Sequence, residues 1–150
     1  MKIIIQRVSA AKVEIKNKIT GQINQGLLVL LGIAQDDSQS EIEWLVNKII
    51  NLRVFSDASG KMNLSLKDIN GEVLLISQFT LFASTKKGNR PSFIQSAKPD
   101  VAIPLYEQFI KTLSQSLSKN IETGEFGADM QVSLTNDGPV TITIDTEDKN

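Results

Sequence analysis

The chain contains no cysteine and no histidine among its 150 residues. Without cysteine there is no disulfide, no thiolate nucleophile, no thiolate-bound zinc and no iron–sulfur cluster. Without histidine there is no Ser-His triad, no imidazole base and no His-ligated metal. If the chain is a hydrolase, its proton acceptor is a carboxylate, a lysine, water or the substrate itself. Long apolar runs are also missing. None approaches the roughly 20 residues of a membrane span, and Ile3-Ile4-Ile5, between Lys2 and Arg7, is too short for a secretory signal. These features point to a soluble, cytoplasmic protein. Charge of neither sign dominates: Lys+Arg 16 against Asp+Glu 17 leaves a net −1, which argues against a bulk electrostatic hold on nucleic acid but not against a local basic patch. No internal repeat or low-complexity linker interrupts the chain. Its length favours one domain over residues 1–150, with 147–150 a frayed polar tail.

What is present alternates between two periodicities. Residues 3–16 read as extended, and Gly26 to Ala34 (GLLVLLGIA) reads as a strand buried on both faces. Ser38 and Glu41 form an S-x-x-E capping box, followed by Ile42, Leu45, Val46, Ile49 and Ile50 as one helical stripe. Arg53 to Ser56 reads as a short strand ending in the turn at 57–60. Asn70-Gly71 precedes a central strand expected over 72–83, and 84–98 reads as a long basic surface loop. A second helix is expected from about Pro99–Pro104 to Lys119, starting near Pro104, with Ile103, Tyr106, Ile110, Leu113 and Leu117 as its stripe. Residues 130–134 and 140–144 alternate as strands around Asn136-Asp137-Gly138-Pro139, which reads as a hairpin. Strands cluster at both chain ends. The pattern is therefore α+β, with helices on one face of a mixed or largely antiparallel sheet that can curl into a barrel.

Three segments are candidates for chemistry. Ser77-Gln78-Phe79-Thr80 places polar groups at the end of an apolar strand, where they need partners or a ligand. They are either satisfied sheet residues or the border of a pocket where the strand bends and its N–H groups come free. Neither Ser77 nor Thr80 has a visible activating base. Asn136 to Pro139 is ordinary turn chemistry except for Pro139, which cannot donate to a following ladder; sequence alone favours a trans bond there. Lys86, Lys87, Arg90 and Lys98 surround Phe93 without an acid, either as a solvated loop or as a phosphate contact with one stacking residue. No motif reads as a metal or dinucleotide site, and no cofactor is expected.

Taken together, SQFTLFA at 77–83 and NDGPVT at 136–141 resemble the D-aminoacyl-tRNA deacylase family, historically the D-Tyr-tRNA deacylases. The likeness extends through IIIQRVSAAKV near the start, KMNLSL at 61–66, GNRPSF at 88–93 and TGEFGADM at 123–130. It implies a homodimer with a barrel-like sheet and two outer helices, hydrolysing the ester between a D-amino acid and the 3′-terminal adenosine of tRNA. Ser77, Gln78, Phe79 and Thr80 would line the catalytic pocket. Gly138 and Pro139, as a cis pair from the partner subunit, would exclude L side chains while leaving glycine hard to reject. Arg7 would brace that pair, with Asn136 and Thr141 in support. Lys86, Lys87 and Arg90 are the candidate tRNA contacts. The absence of histidine and cysteine suits a reaction activated by the substrate's own 2′-OH. Two alternatives stay open: Thr80 as an acyl-accepting nucleophile, and a non-catalytic RNA-binding dimer.

Overall fold

A computed structural model describes residues 1–149. Its spine is β1, Lys2–Ile15, which turns through Lys16 and Asn17, both at positive φ, into β2, Lys18–Ile23. The sequence pattern did not mark β2 as a strand. Gly21 stands in its middle because a Cβ there would lie 2.7 Å from the Thr123 carbonyl oxygen of the opposite wall. β3, Gly26–Gly32, pairs antiparallel with Lys2–Val8 of β1.

Helix α1, Gln39–Asn51, begins at Ser38, whose N–H donates to Glu41 Oε2 at 2.9 Å in the expected capping box. Its stripe of Ile42, Leu45, Val46, Ile49 and Ile50 is fully buried. β4, Phe55–Ser56, and β5, Met62–Leu64, form a small ladder around Asp57, whose Oδ1 accepts the N–H groups of Ser59 at 2.9 Å and Lys61 at 3.0 Å.

β6, Glu72–Ser77, runs parallel to β3. It is half as long as expected: the strand stops at Ser77, and Phe79–Phe82 closes into a 3-10 turn. Helix α2, Pro99–Leu117, starts at Pro99 rather than near Pro104. Pro99 occupies the first helical position, where its missing N–H forfeits nothing. Pro104 forfeits only a bond to the carbonyl of the exposed Asp100. The buried face of α2 is Ala102, Tyr106, Phe109 and Leu113, with Ile103 turned outward.

β7, Glu122–Thr123, joins β6 in parallel, and β8, Gln131–Asp145, is a single long strand. The hairpin expected around 136–139 is not formed. Both halves of β8 pair antiparallel with β1, Gln131–Asn136 along Val8–Glu14 and Thr141–Asp145 along Lys2–Gln6, so the chain never reverses. The sheet is six-stranded, and the contact of β2 with β7 nearly closes it into a barrel.

Two cores result. Leu27, Val29, Leu31, Val73 and Leu75 face the helices with Ile3 and Ile5; Leu28, Leu74 and Ile76 face the barrel interior with Val8, Ala11 and Val13. The architecture is thus the α+β arrangement of a barrel-like mixed sheet with two outer helices. The tail read as frayed contains a 3-10 turn at Thr146–Asp148, capped by the Asp145 carboxylate and tied by the Thr146 N–H to the Met1 carbonyl at 2.9 Å. Asn150 lies outside the described residues.

The capping box gives this fold a pH signature. Hydrogen bonds, chiefly from the Ser38 side chain, lower the Glu41 carboxyl from 4.5 to about 2. A depressed carboxylate stabilises the fold above its unfolded value, and the contribution is lost as pH falls toward about 2. Ser38→Ala should therefore destabilise by about 1 kcal/mol near neutrality. Thermal melts of both proteins should show this difference shrinking between about pH 4.5 and pH 2. A difference that stays constant over that range contradicts the assignment.

Candidate active site

Ser77 is the last residue of β6 to pair with β3, opposite Leu31. The Gln78 N–H still donates to the Leu31 carbonyl at 2.7 Å, and the backbone then leaves the sheet. The turn that follows is held by Leu81 N–H to Gln78 O at 3.3 Å and Ala83 N–H to Thr80 O at 3.0 Å. Among the described residues, the Phe79 and Thr80 N–H groups have no protein acceptor. Two adjacent donors therefore stand free at the start of a short helical turn, a geometry suited to an anionic oxygen. The Gln78 amide donates to Thr80 Oγ1 and so ties the two polar side chains of the turn together.

This turn borders a cleft of about 250 Å³. Ser77, Gln78 and Phe79 form one side, Ser96 and Ala97 of the basic loop another, and Phe126, Gly127, Ala128 and Met130 a third. Thr80 is exposed on the turn and outside the cleft lining. Among the described residues no charged side chain lines the cleft. Behind the wall, Tyr106 packs its ring 5.7 Å from that of Phe126, and burial pushes its hydroxyl up to about 12, so it stays a neutral donor. Phe93 sets its ring edge-on against Phe79 with centroids 5.1 Å apart, which fastens the loop to the turn.

The third wall was not singled out from sequence as a site. Gly127, at φ 78, turns the chain so that Phe126 and Ala128 both reach the cleft. The pair of glycines around Glu125-Phe126 was the available signal. Lys86, Lys87 and Arg90 are exposed on the loop, whose base is the Ser84–Ser92 bridge just beyond the turn.

The second motif lies elsewhere. Gln6 pairs with Thr141 and Val8 with Asn136, so Arg7 alone faces four residues, Asp137–Val140. The excess forms a bulge that pushes Gly138 and Pro139 out of the strand, with a cis peptide bond between them. Arg7 holds it: Nε donates to the Asp137 carbonyl at 2.9 Å and Nη1 to the Val54 carbonyl at 2.6 Å. Asn136 closes its base, accepting from the Val140 N–H at 3.1 Å and donating to Thr141 Oγ1 at 3.0 Å. Gly138, at φ 128, admits no Cβ, which would meet Arg7 Nη2 at 2.8 Å. The two motifs do not meet within one chain. Three strand spacings separate Ser77 from the bulge, roughly 14 Å, and Ile3 to Arg7 adds roughly 13 Å along β1. Among the described residues no cluster of three Asp or Glu side chains is placed to hold a metal ion.

Comparison with known proteins gives a consistent picture. The family model described as D-Tyr-tRNA(Tyr) deacylase matches residues 4–145. A D-aminoacyl-tRNA deacylase of Cytophaga hutchinsonii is 62% identical over 146 residues, covering 97% of each chain. One of Flavobacterium psychrophilum is 59% identical over 149 residues, covering 99% of each. A solved structure titled c-Myc DNA Unwinding Element Binding Protein superposes with a TM-score of 0.92 at 43% identity, over 97% of this chain and 98% of that one. A probable eukaryotic D-amino acid tRNA deacylase, at 16% identity and TM-score 0.82 over 95% and 97% of the two chains, shares the fold.

The bracing of the bulge is open to direct measurement. Asn136→Ala removes the acceptor of the Val140 N–H and should cost about 1–2 kcal/mol. Amide exchange should accelerate at Val140 while the barrel amides of β3 keep their protection. Unchanged exchange at Val140 would show that Asn136 does not hold the corner.

Proposed function

Given that the chain belongs to the D-Tyr-tRNA(Tyr) deacylase family and is a D-aminoacyl-tRNA deacylase, we propose that it cleaves by positioning the substrate's own groups rather than with an acid–base side chain. The observation carrying this reading is the pair of free N–H groups at Phe79 and Thr80, beside a cleft that no ionisable side chain lines. The acylated 3′-terminal adenosine occupies the cleft with its ester carbonyl on those donors. Water adds to the carbonyl carbon, and the developing oxyanion is held by the two amides. The neighbouring 2′-OH orients the water and relays a proton to the departing 3′-oxygen. The C–O3′ bond breaks, releasing the amino acid and a 3′-hydroxyl, with the carboxyl proton passing to solvent. Ser77 and Gln78 fix the turn, and no cofactor enters the reaction.

Chirality is read by the bulge of a second copy. Gly138 and Pro139 are too far from their own chain's turn to act there, yet they are exposed and braced by Arg7. Among the described residues β8 pairs only with β1, so its other edge is open to a homodimer partner. Delivered across such a dimer, the corner occupies the space an L side chain needs. Glycine has no side chain to exclude, so glycyl-tRNA is also a substrate. Lys86, Lys87 and Arg90 contact phosphates of the acceptor end, a small footprint that implies a shallow salt dependence. The reaction belongs in the cytoplasm, where charged tRNA is used.

Two competing readings differ from this one in observable ways. With Thr80 as nucleophile, Thr80→Ala abolishes turnover and an acyl-enzyme can be trapped; with substrate assistance, Thr80→Ala retains turnover and a 2′-deoxy terminal adenosine abolishes it. A nucleic-acid-binding module without catalysis, suggested by the name of the structural relative with TM-score 0.92, would bind without hydrolysis and ignore chirality.

The deciving assay is deacylation of matched D-, L- and glycyl-tRNA by the purified protein. The D and glycyl substrates should be cleaved, with the L form slower by roughly a hundredfold or more. Equal rates on D and L would remove the stereochemical gate.

A further inference from the structure

The cleft wall and the loop beside it carry bare apolar side chains. Ile94 is 92% exposed and Phe79 is 54% exposed. Ile94 stands in a tight turn closed by the Ser96 N–H on the Phe93 carbonyl at 3.0 Å. Ile94 thus sits in the chain between Phe93, which packs on Phe79, and Ser96, which lines the cleft. A single exposed Ile on a surface needs no explanation, but this one directly follows Phe93, whose ring packs on the exposed Phe79 of the cleft wall.

Charge is distributed unevenly beside the cleft. Lys86, Lys87 and Arg90 precede Ile94 in the same loop, all exposed, and among the described residues none of them forms an ion pair. Residues 84–98 include no acid, whereas the facing wall carries Glu125 and Asp129. An apolar ledge with unpaired cations along one side suits a polyanion that presents a flat apolar face at each repeat. Single-stranded nucleic acid has that chemistry: bases rest on apolar and aromatic groups while lysines and arginines follow the phosphates.

We propose that Phe79, Phe93 and Ile94 form a ledge for the unpaired bases immediately upstream of the terminal adenosine, with Lys86, Lys87 and Arg90 on the intervening phosphates. This deepens the function proposed above and rests on its placement of the terminal adenosine in the cleft. The ledge contributes to holding the tRNA and not to the ester chemistry, so its loss raises KM for tRNA and leaves a substrate lacking those nucleotides untouched.

The test compares D-aminoacyl-tRNA with 3′-O-(D-aminoacyl)adenosine. Ile94→Asp, a change at an almost wholly exposed position, should lower kcat/KM on the tRNA roughly five- to tenfold, through KM, and leave the adenosine ester unchanged. Ile94→Phe, which keeps an apolar face, should match or exceed the parent on tRNA. The ledge is refuted if Ile94→Asp leaves the tRNA rate intact, or lowers both substrates alike. It is also refuted if that variant changes the sedimentation mass, since a second copy would then cover the surface. Should the parent enzyme hydrolyse neither D substrate, the hydrolase reading fails separately. The ledge then stands only if Ile94→Asp weakens binding of uncharged tRNA.

Discussion

A backbone amide that leaves a β-sheet must find another partner or present itself to something outside the chain. Both candidate motifs of this protein are places where that obligation is left open or met in an unusual way. β6 stops pairing after the Gln78 N–H, and among the described residues the amides of Phe79 and Thr80 have no protein acceptor. β8 keeps pairing with β1 but carries four residues against Arg7 alone, so its surplus is satisfied by the Arg7 guanidinium and the Asn136 amide instead of the ladder. In each case the groups left on display are main-chain groups, held in place by side-chain hydrogen bonds.

Such groups act only if they do not move. The scaffold supplies this rigidity by burying β3 and β6 on both faces, one against the helices and the other inside the barrel. Donors fixed this way need no reorganisation when charge develops on a bound substrate, and in the mechanism proposed above that counts for more than acidity. A cleft without ionisable lining and a chain without histidine are then compatible with catalysis. The same logic extends to the proposed selectivity, in which a corner of backbone pinned by the Arg7 guanidinium would exclude by shape.

Much of this was legible in the residues. The capping box and stripe of α1 were read correctly because helix starts and periodicity are local signals. The burial of Leu27, Leu28, Val29 and Leu31, with Leu30 half-buried, showed as an unbroken apolar run. Features that depend on distant partners were not visible. Gly21 weakens the pattern of β2 for a reason that lies on β7, a hundred residues away in the chain by order of magnitude. Phe79 and Leu81 continue the apolar run of β6, so nothing local announced that the strand would stop at Ser77. Asn136-Asp137-Gly138-Pro139 carries turn chemistry, and only the register with β1 shows that it makes a bulge and not a reversal. The segments at 77–80 and 136–141 were singled out as candidates by resemblance, while Phe126 to Met130 became a wall of the cleft only once the barrel was closed.

The claim that the Phe79 and Thr80 amides receive the ester oxygen can be tested without turnover. A stable analogue in which a D-amino acid is amide-linked to 3′-amino-3′-deoxyadenosine presents the same carbonyl. Hydrogen exchange at these two amides, followed by NMR on the free and saturated protein, should slow markedly with the D analogue and not with its L counterpart. Rapid exchange at both amides in the saturated D complex would contradict the account.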